Sequence, residues 1–204
     1  MLSKRSARAA ALLAAIEKKQ VNSADIDAAQ ANVLRHHPDA QVRQAAARLL
    51  PPPLSRESVL AAFRPALDLS GDTERGKKLY ESRCISCHRA AGEGNAVGPD
   101  FVTVKNAGGE KLLLNILDPN REVAPQYVAY LVETKDGQSL LGILASDTPA
   151  ALTVRQAYGR ETVVPRANIK RMTSQGKSLM PEGLEEGLKP QDVADLIGFI
   201  EGAK

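Results

Sequence analysis

Two cysteines serve a chain of 204 residues, and both fall in one pentapeptide, Cys84-Ile-Ser-Cys87-His88. A disulfide between positions three apart would close a tiny loop and remove little entropy from the unfolded chain. The thiols are therefore placed for chemistry, and the fold must hold two sulfurs and an imidazole on one turn of backbone. A thioredoxin-like use of Cys-x-x-Cys asks for a βαβ setting, which the flanking pattern lacks. A structural zinc site asks for four ligands, and the other histidines, His36 and His37, belong to a different module.

Cys-x-x-Cys-His is the attachment sequence for a c-type haem. Thiols at i and i+3 on a helical turn reach the two vinyl groups along one edge of the macrocycle, and the adjacent His88 offers the iron an axial nitrogen. One covalent haem, with its iron, is expected. Composition agrees: aromatic residues make up 3% of the chain and Trp is absent, so a core of Leu, Val, Ala and Ile has room for a large flat apolar body.

A second axial ligand has to come from elsewhere. Met180, in Ser178-Leu179-Met180-Pro181, is favoured, because it stands on a loop just before the last helix and Pro181 stiffens that loop. Met172 falls at the end of a strand, where a core role is expected. Ligation by His36 or His37, and an open sixth position, remain as alternatives. Thioether sulfur is soft and favours ferrous iron, so His88/Met180 ligation raises the potential relative to a bis-His site, and a closed site leaves peroxide nowhere to bind. Gly98-Pro99 follows the pentapeptide, and a Gly-Pro turn frees the Pro99 carbonyl to accept the Nδ1–H of His88. Gly92 and Gly94 let the chain bend closely around the haem edge. Glu182, Glu185 and Glu186 are read as a solvated loop face.

Helical patterning fills the first fifty residues. Leu12, Leu13 and Ile16 start one apolar stripe, Ile26, Val33 and Leu34 a second, and Val42, Ala46, Leu49 and Leu50 a third. Pro51-Pro52-Pro53 then reads as a stiff extended connector. A short helix runs to Phe63, another follows an Asp72 N-cap, a third spans Gly109 to Leu117, and a last begins near Pro190 with Val193, Leu196, Ile197 and Ile200 as its stripe. Between the last two, short β-branched runs separated by Asp136-Gly137, Asp147-Thr-Pro149 and Tyr158-Gly159 predict an antiparallel meander of four or five strands, about 125–174.

Charge is uneven along the chain. Residues 1–65 carry ten basic against five acidic side chains, and residues 66–204 carry seventeen against nineteen. The basic excess lacks aromatic interleaving or a dense Lys/Arg block, which argues against nucleic-acid binding. No stretch approaches the roughly 18–20 apolar residues of a membrane span. The apolar run Ala9 to Ile16 ends in Glu17-Lys18-Lys19 without a small-residue cleavage site, so an amphipathic helix is preferred to a signal peptide.

The order helix, Cys-x-x-Cys-His, Gly-Pro, helix, Met, helix resembles a class I cytochrome c. Gly76 and Tyr80 on the first of these helices, with Phe199 on the last, resemble that family's crossing of terminal helices. More narrowly, Val97-Gly-Pro-Asp-Phe101, Asn115-Ile-Leu-Asp-Pro-Asn120, Tyr127, Lys135-Asp-Gly137, Ser178-Leu-Met-Pro-Glu-Gly-Leu184 and Asp195-Leu-Ile-Gly-Phe199 resemble the C-terminal haem-binding domains of large dehydrogenase-like proteins of planctomycetes. There a β-propeller and HEAT-like helices precede the cytochrome. Residues 37–50 resemble the second half of a HEAT-type repeat, with room for roughly one and a half repeats where about three are needed for stability.

The resemblance implies a mainly α fold: a class I cytochrome c fold with an antiparallel β insertion, preceded by a small HEAT-like segment. It implies a helical segment and linker over 1–65 and a cytochrome domain over 66–204. Its function would be electron transfer rather than catalysis, with a redox partner or fused dehydrogenase. Haem of this type is attached outside the bacterial cytoplasmic membrane, so a periplasmic or otherwise exported location is implied, and the chain is expected to be a piece of a longer exported protein. The insert would cover a haem edge or dock a partner.

Overall fold

The computed structural model describes residues 2–26, 28–35, 37, 39–50 and 55–203. His36 and the Pro51-Pro52-Pro53 connector lie outside the described residues. The chain divides into two compact units, one of residues 1–58 with 183–187 and one of residues 59–182 with 188–204.

In the first unit, α1 (Leu2–Glu17), α2 (Ala28–Arg35) and α3 (Ala40–Leu49) bury one stripe each. Leu13 and Ile16, Ala31 and Leu34, and Val42, Ala46 and Leu50 form a common core. The Asp39 carboxylate caps α3 by accepting the Gln41 N–H at 2.9 Å. His37 is buried beside this cap, its Nδ1 accepting the Asp39 N–H at 3.1 Å while Arg43 Nη1 donates to its carbonyl at 2.7 Å. Arg56 pairs with Glu185 at 3.0 Å, and both side chains are sheltered. Glu185 is thus not the solvated residue expected.

The second unit contains α4 (Arg56–Phe63) from Val59 onward, α5 (Thr73–Arg83), α6 (Phe101–Val104), α7 (Gly109–Leu117) and α8 (Pro190–Glu201). Pro190 lies in the first turn of α8, where its missing N–H costs nothing. Val193, Leu196, Ile197 and Ile200 of α8 are buried with Leu112, Leu113 and Leu117 of α7. At the crossing of α5 and α8 the backbones nearly touch. A Cβ on Gly76 would stand 2.1 Å from the Asp195 carbonyl oxygen, and one on Gly71 would stand 2.3 Å from that of Ala194. Asp195 locks this crossing. Its buried carboxylate accepts from the Asp72 N–H at 2.8 Å, from Arg75 Nε at 2.6 Å and Nη2 at 3.0 Å, and from Gln191 Nε2 at 2.9 Å. Tyr80 packs between Phe199 and Phe101 in tilted contacts, with ring centroids 5.3 and 5.4 Å away.

The β structure corrects the expected fold class. The protein is not a mainly α class I cytochrome c fold, because a five-stranded antiparallel sheet stands beside the helices. After a two-residue hairpin, β1 (Arg89–Ala90) with β2 (Glu93–Gly94), the sheet is built from β3 (Val128–Thr134), β4 (Ser139–Asp147), β5 (Ala151–Arg155), β6 (Glu161–Pro165) and β7 (Ile169–Ser178). Their order is β6-β5-β4-β3-β7, so the last strand returns past the meander to pair with the first. The sheet has a hydrophobic cluster of its own, made of Val132, Leu140, Leu152, Val154 and Val164. The underestimate came chiefly from β7, whose polar residues after Met172 carry no apolar alternation yet pair with β3 as far as Ser178 opposite Val128. Met172 lies within that strand and is 40% exposed, so it is not a core residue. No helix among the described residues is long and apolar enough to cross a membrane.

Candidate functional site

Helix α5 delivers the pentapeptide. Its last turn closes when the Cys84 N–H donates to the Tyr80 carbonyl at 2.8 Å. The chain then makes one further turn in which the N–H groups of Cys87 and His88 both donate to the Cys84 carbonyl, at 3.0 and 2.8 Å. Both thiols are unpaired and half-buried on this turn. Burial pushes the Cys84 thiol up to about 12, with Arg83 opposing the shift and Cys87 adding to it.

The segment after His88 folds back over the turn. The β1–β2 hairpin reverses through Ala91 and Gly92, at φ 50° and 81°. The Val97 and Gly98 N–H groups then donate to the Cys87 carbonyl at 2.9 and 2.7 Å, and Asn95 Nδ2 donates to the Ile85 carbonyl at 3.1 Å. The Tyr80 hydroxyl sits between the carbonyls of His88 and Glu93, at 3.1 and 2.9 Å, with one proton to share. Of the two glycines read as bending points, Gly94 is the tight one. A Cβ there would lie 2.2 Å from the His88 carbonyl oxygen, whereas one on Gly92 would meet open space.

His88 is held from two sides. Its Nδ1 lies 2.9 Å from the Pro99 carbonyl oxygen. A carbonyl can only accept, so Nδ1 carries the proton and the Nε2 lone pair is left available. Gly98 supplies the clearance for this contact, since a Cβ there would fall 2.4 Å from Cε1, 2.8 Å from Nδ1 and 2.9 Å from Nε2. The Phe101 ring centroid is 5.2 Å from that of the imidazole. Burial lowers the His88 pKa, against the opposing effect of the Pro99 carbonyl, and keeps the ring neutral as a ligand requires.

Cys84, Cys87, His88, Gly98 and Pro99 therefore form one hydrogen-bonded unit. Met180 stands in a second, at the end of β7. It is half-buried, and its N–H donates to Ser178 Oγ at 3.0 Å. The side chain of Asn120 grips this loop, its Oδ1 accepting the Ser178 N–H at 3.0 Å and its Nδ2 donating to Glu182 Oε1 at 2.6 Å. Glu182 is thus a tied residue and not part of a solvated face. Among the described residues no group of three or more His, Cys, Asp or Glu could hold a metal ion as a protein cage.

Sequence reasoning passed over three contacts at this site. Asn120 was visible only as part of a longer motif. Phe101 was visible only as the residue after Gly-Pro-Asp. The third is the turn between β5 and β6, read simply as a turn. The Tyr158 N–H donates to the carbonyl of Ser86, inside the pentapeptide, at 2.8 Å. Arg155 Nη1 donates to the Ala96 carbonyl at 2.8 Å, and a Cβ on Gly159 would lie 2.8 Å from Asn95 Oδ1. Tyr158 holds this position at φ 61°, an unusual conformation for a bulky residue, with its side chain 77% exposed.

The cytochrome c family model matches residues 73–204, and the chain belongs to the cytochrome c family. A cytochrome c of Arabidopsis thaliana is 46% identical to it over 36 residues, which are 17% of this chain and 32% of that protein. The match thus spans about a third of the length of that relative. Family membership implies covalently bound haem with iron and supports a haem-binding electron-transfer role. The residues present suit such a group: two unpaired thiols one turn apart, a neutral imidazole whose Nε2 is available, and a glycine where a side chain would strike that ring.

Proposed function

We propose that this chain is a monohaem electron carrier in which Cys84 and Cys87 would hold the haem through thioethers and His88 and Met180 would ligate its iron. The supporting observation is the Nδ1–H of His88 engaged by Pro99, which fixes the tautomer and aims the other nitrogen as a ligand. A bound haem supplies a one-electron iron couple. The residues of this chain set its level. The Pro99 carbonyl raises the basicity of His88, and the Met180 thioether draws the couple toward ferrous iron. The half-buried setting of Cys84, Cys87, His88 and Met180 limits water at the ligands.

The partner class that fits this reading is a dehydrogenase, fused or separate, within an exported protein of the planctomycete type. HEAT-like helices would precede the cytochrome there, and haem would be attached outside the cytoplasmic membrane.

The test is the spectrum of the purified ferric holoprotein. The weak charge-transfer band of methionine–iron bonding is expected in the wild type and absent in Met180→Ala. A high-spin ferric wild type that turns over peroxide rapidly would replace the carrier with a haem enzyme open at its sixth position.

A further inference from the structure

Met180 sits on a loop without secondary structure of its own, between the end of β7 and the start of α8. Pro181 removes a donor from it. The Met180 N–H is used by Ser178, so the local turn depends on where Ser178 is held. Asn120 holds it. One amide side chain bonds Ser178, two residues before Met180, and Glu182, two residues after. The amide orientation is forced, because a backbone N–H can only donate and a carboxylate can only accept. Asn120 is itself fixed just beyond α7. There the Asp118 N–H closes on Leu114 at 2.8 Å, and the largely buried Asp118 carboxylate accepts from Arg121 Nε at 2.8 Å.

From this geometry we infer that Asn120 is the positioning residue for Met180: it carries the rigidity of the helical core across to the loop and holds the thioether in place against the iron. The inference rests on Met180 being the sixth ligand. Asn120 does not touch the iron; it acts through the backbone on either side of the methionine. Without it the loop keeps its sequence and its sulfur but loses both clamps, so the methionine spends more time away and a competing ligand finds the position open.

The experiment uses ferric holoprotein and imidazole as the competing ligand. Asn120→Ala is expected to displace methionine about tenfold faster and at lower imidazole concentration, as expected for hydrogen bonds lost without replacement. The methionine–iron band weakens and the reduction potential falls. Glu182→Gln keeps an acceptor for Nδ2 and is expected to match the wild type. Should Asn120→Ala fail to fold, the comparison passes to Glu182→Ala against Glu182→Gln, where faster displacement in the alanine variant alone supports the inference and equal rates overturn it. An Asn120→Ala protein with lowered melting temperature but unchanged band, potential and imidazole response also overturns it. A wild type lacking the methionine–iron band refutes Met180 ligation itself, and the inference with it.

Discussion

Asp195 offers the sharpest energetic test of the fold around the site. Its carboxylate is 2% exposed yet ionised, and it joins α8 to the first turn of α5, which leads directly into the pentapeptide. Hydrogen bonding from Arg75 is the main reason its pKa falls from 3.8 to about 2, with help from the Asp72 N–H and Gln191 and against the cost of burial. A shift of that size corresponds to about 2 kcal/mol of stability for the ionised form. Because the Arg75 side chain is 56% exposed, solvent screening trims the figure to about 1–2 kcal/mol. The sign follows from the depressed value. The folded state binds the proton less readily than the unfolded state, so the contribution is complete above about pH 5 and is lost as pH falls toward about 2. Asp195→Asn abolishes the charge and turns an amide N–H toward the Arg75 donors. In urea titrations of holoprotein, the wild type should exceed the variant by about 1–2 kcal/mol at pH 7, and the gap should close steadily between about pH 5 and pH 2. Taking the difference between the two proteins cancels the titration of the other carboxylates. A gap that stays constant across that range, or one near zero at pH 7, refutes the reasoning.

Two further substitutions probe the haem-motif loop. Gly98→Ala drives a methyl group to 2.4 Å from His88 Cε1, so the ring or the Gly-Pro turn must yield. A loss of about 1–3 kcal/mol is expected, with disappearance of the hydrogen-bonded Nδ1–H signal in NMR spectra, and an unchanged signal would count against the contact. Tyr158→Asn keeps the N–H that bonds Ser86 but installs a residue tolerant of φ 61°. Its stability should rise by about 0.5–1 kcal/mol in urea titrations, and a loss would show that the exposed ring contributes more than the backbone strain costs.

The helices were legible because they carry redundant signals. Asp72 is an N-cap, its carboxylate accepting from the N–H groups of Glu74 and Arg75 at 2.9 and 3.0 Å, and α8 shows its start at Pro190 and its buried stripe. Gly76, Tyr80 and Phe199 were legible as a crossing only through their resemblance to the terminal helices of class I cytochromes c. The Pro99 carbonyl was reachable by a physical argument, from an unopposed acceptor near a histidine that needs one. What stayed hidden depended on contacts between segments far apart in the chain. Nothing in Lys170 to Ser178 alternates, so β7 is a strand by virtue of β3 and not of its own pattern. The two roles of the Asn120 amide likewise depend on Ser178 and Glu182, which lie 58 and 62 residues away.

The sheet carries the larger lesson about the site. A sheet tied to the helices only at its ends would be an appendage, since lengthening a loop adds little closure entropy and its ordering can be offset by a core of its own. Val132, Leu140, Leu152, Val154 and Val164 provide that core here. The ties at Arg155 and Tyr158 go beyond what an appendage needs, because they spend one side chain and one strained backbone position on Ala96 and Ser86. At its other side the sheet ends at Ser178, where Asn120 takes hold. The sheet thus touches the segment that bears Cys84, Cys87 and His88 through Arg155 and Tyr158, and its strand β7 leads into the loop that bears Met180. A change in the sheet should therefore be felt at both places, which makes the sheet part of the framework around these residues.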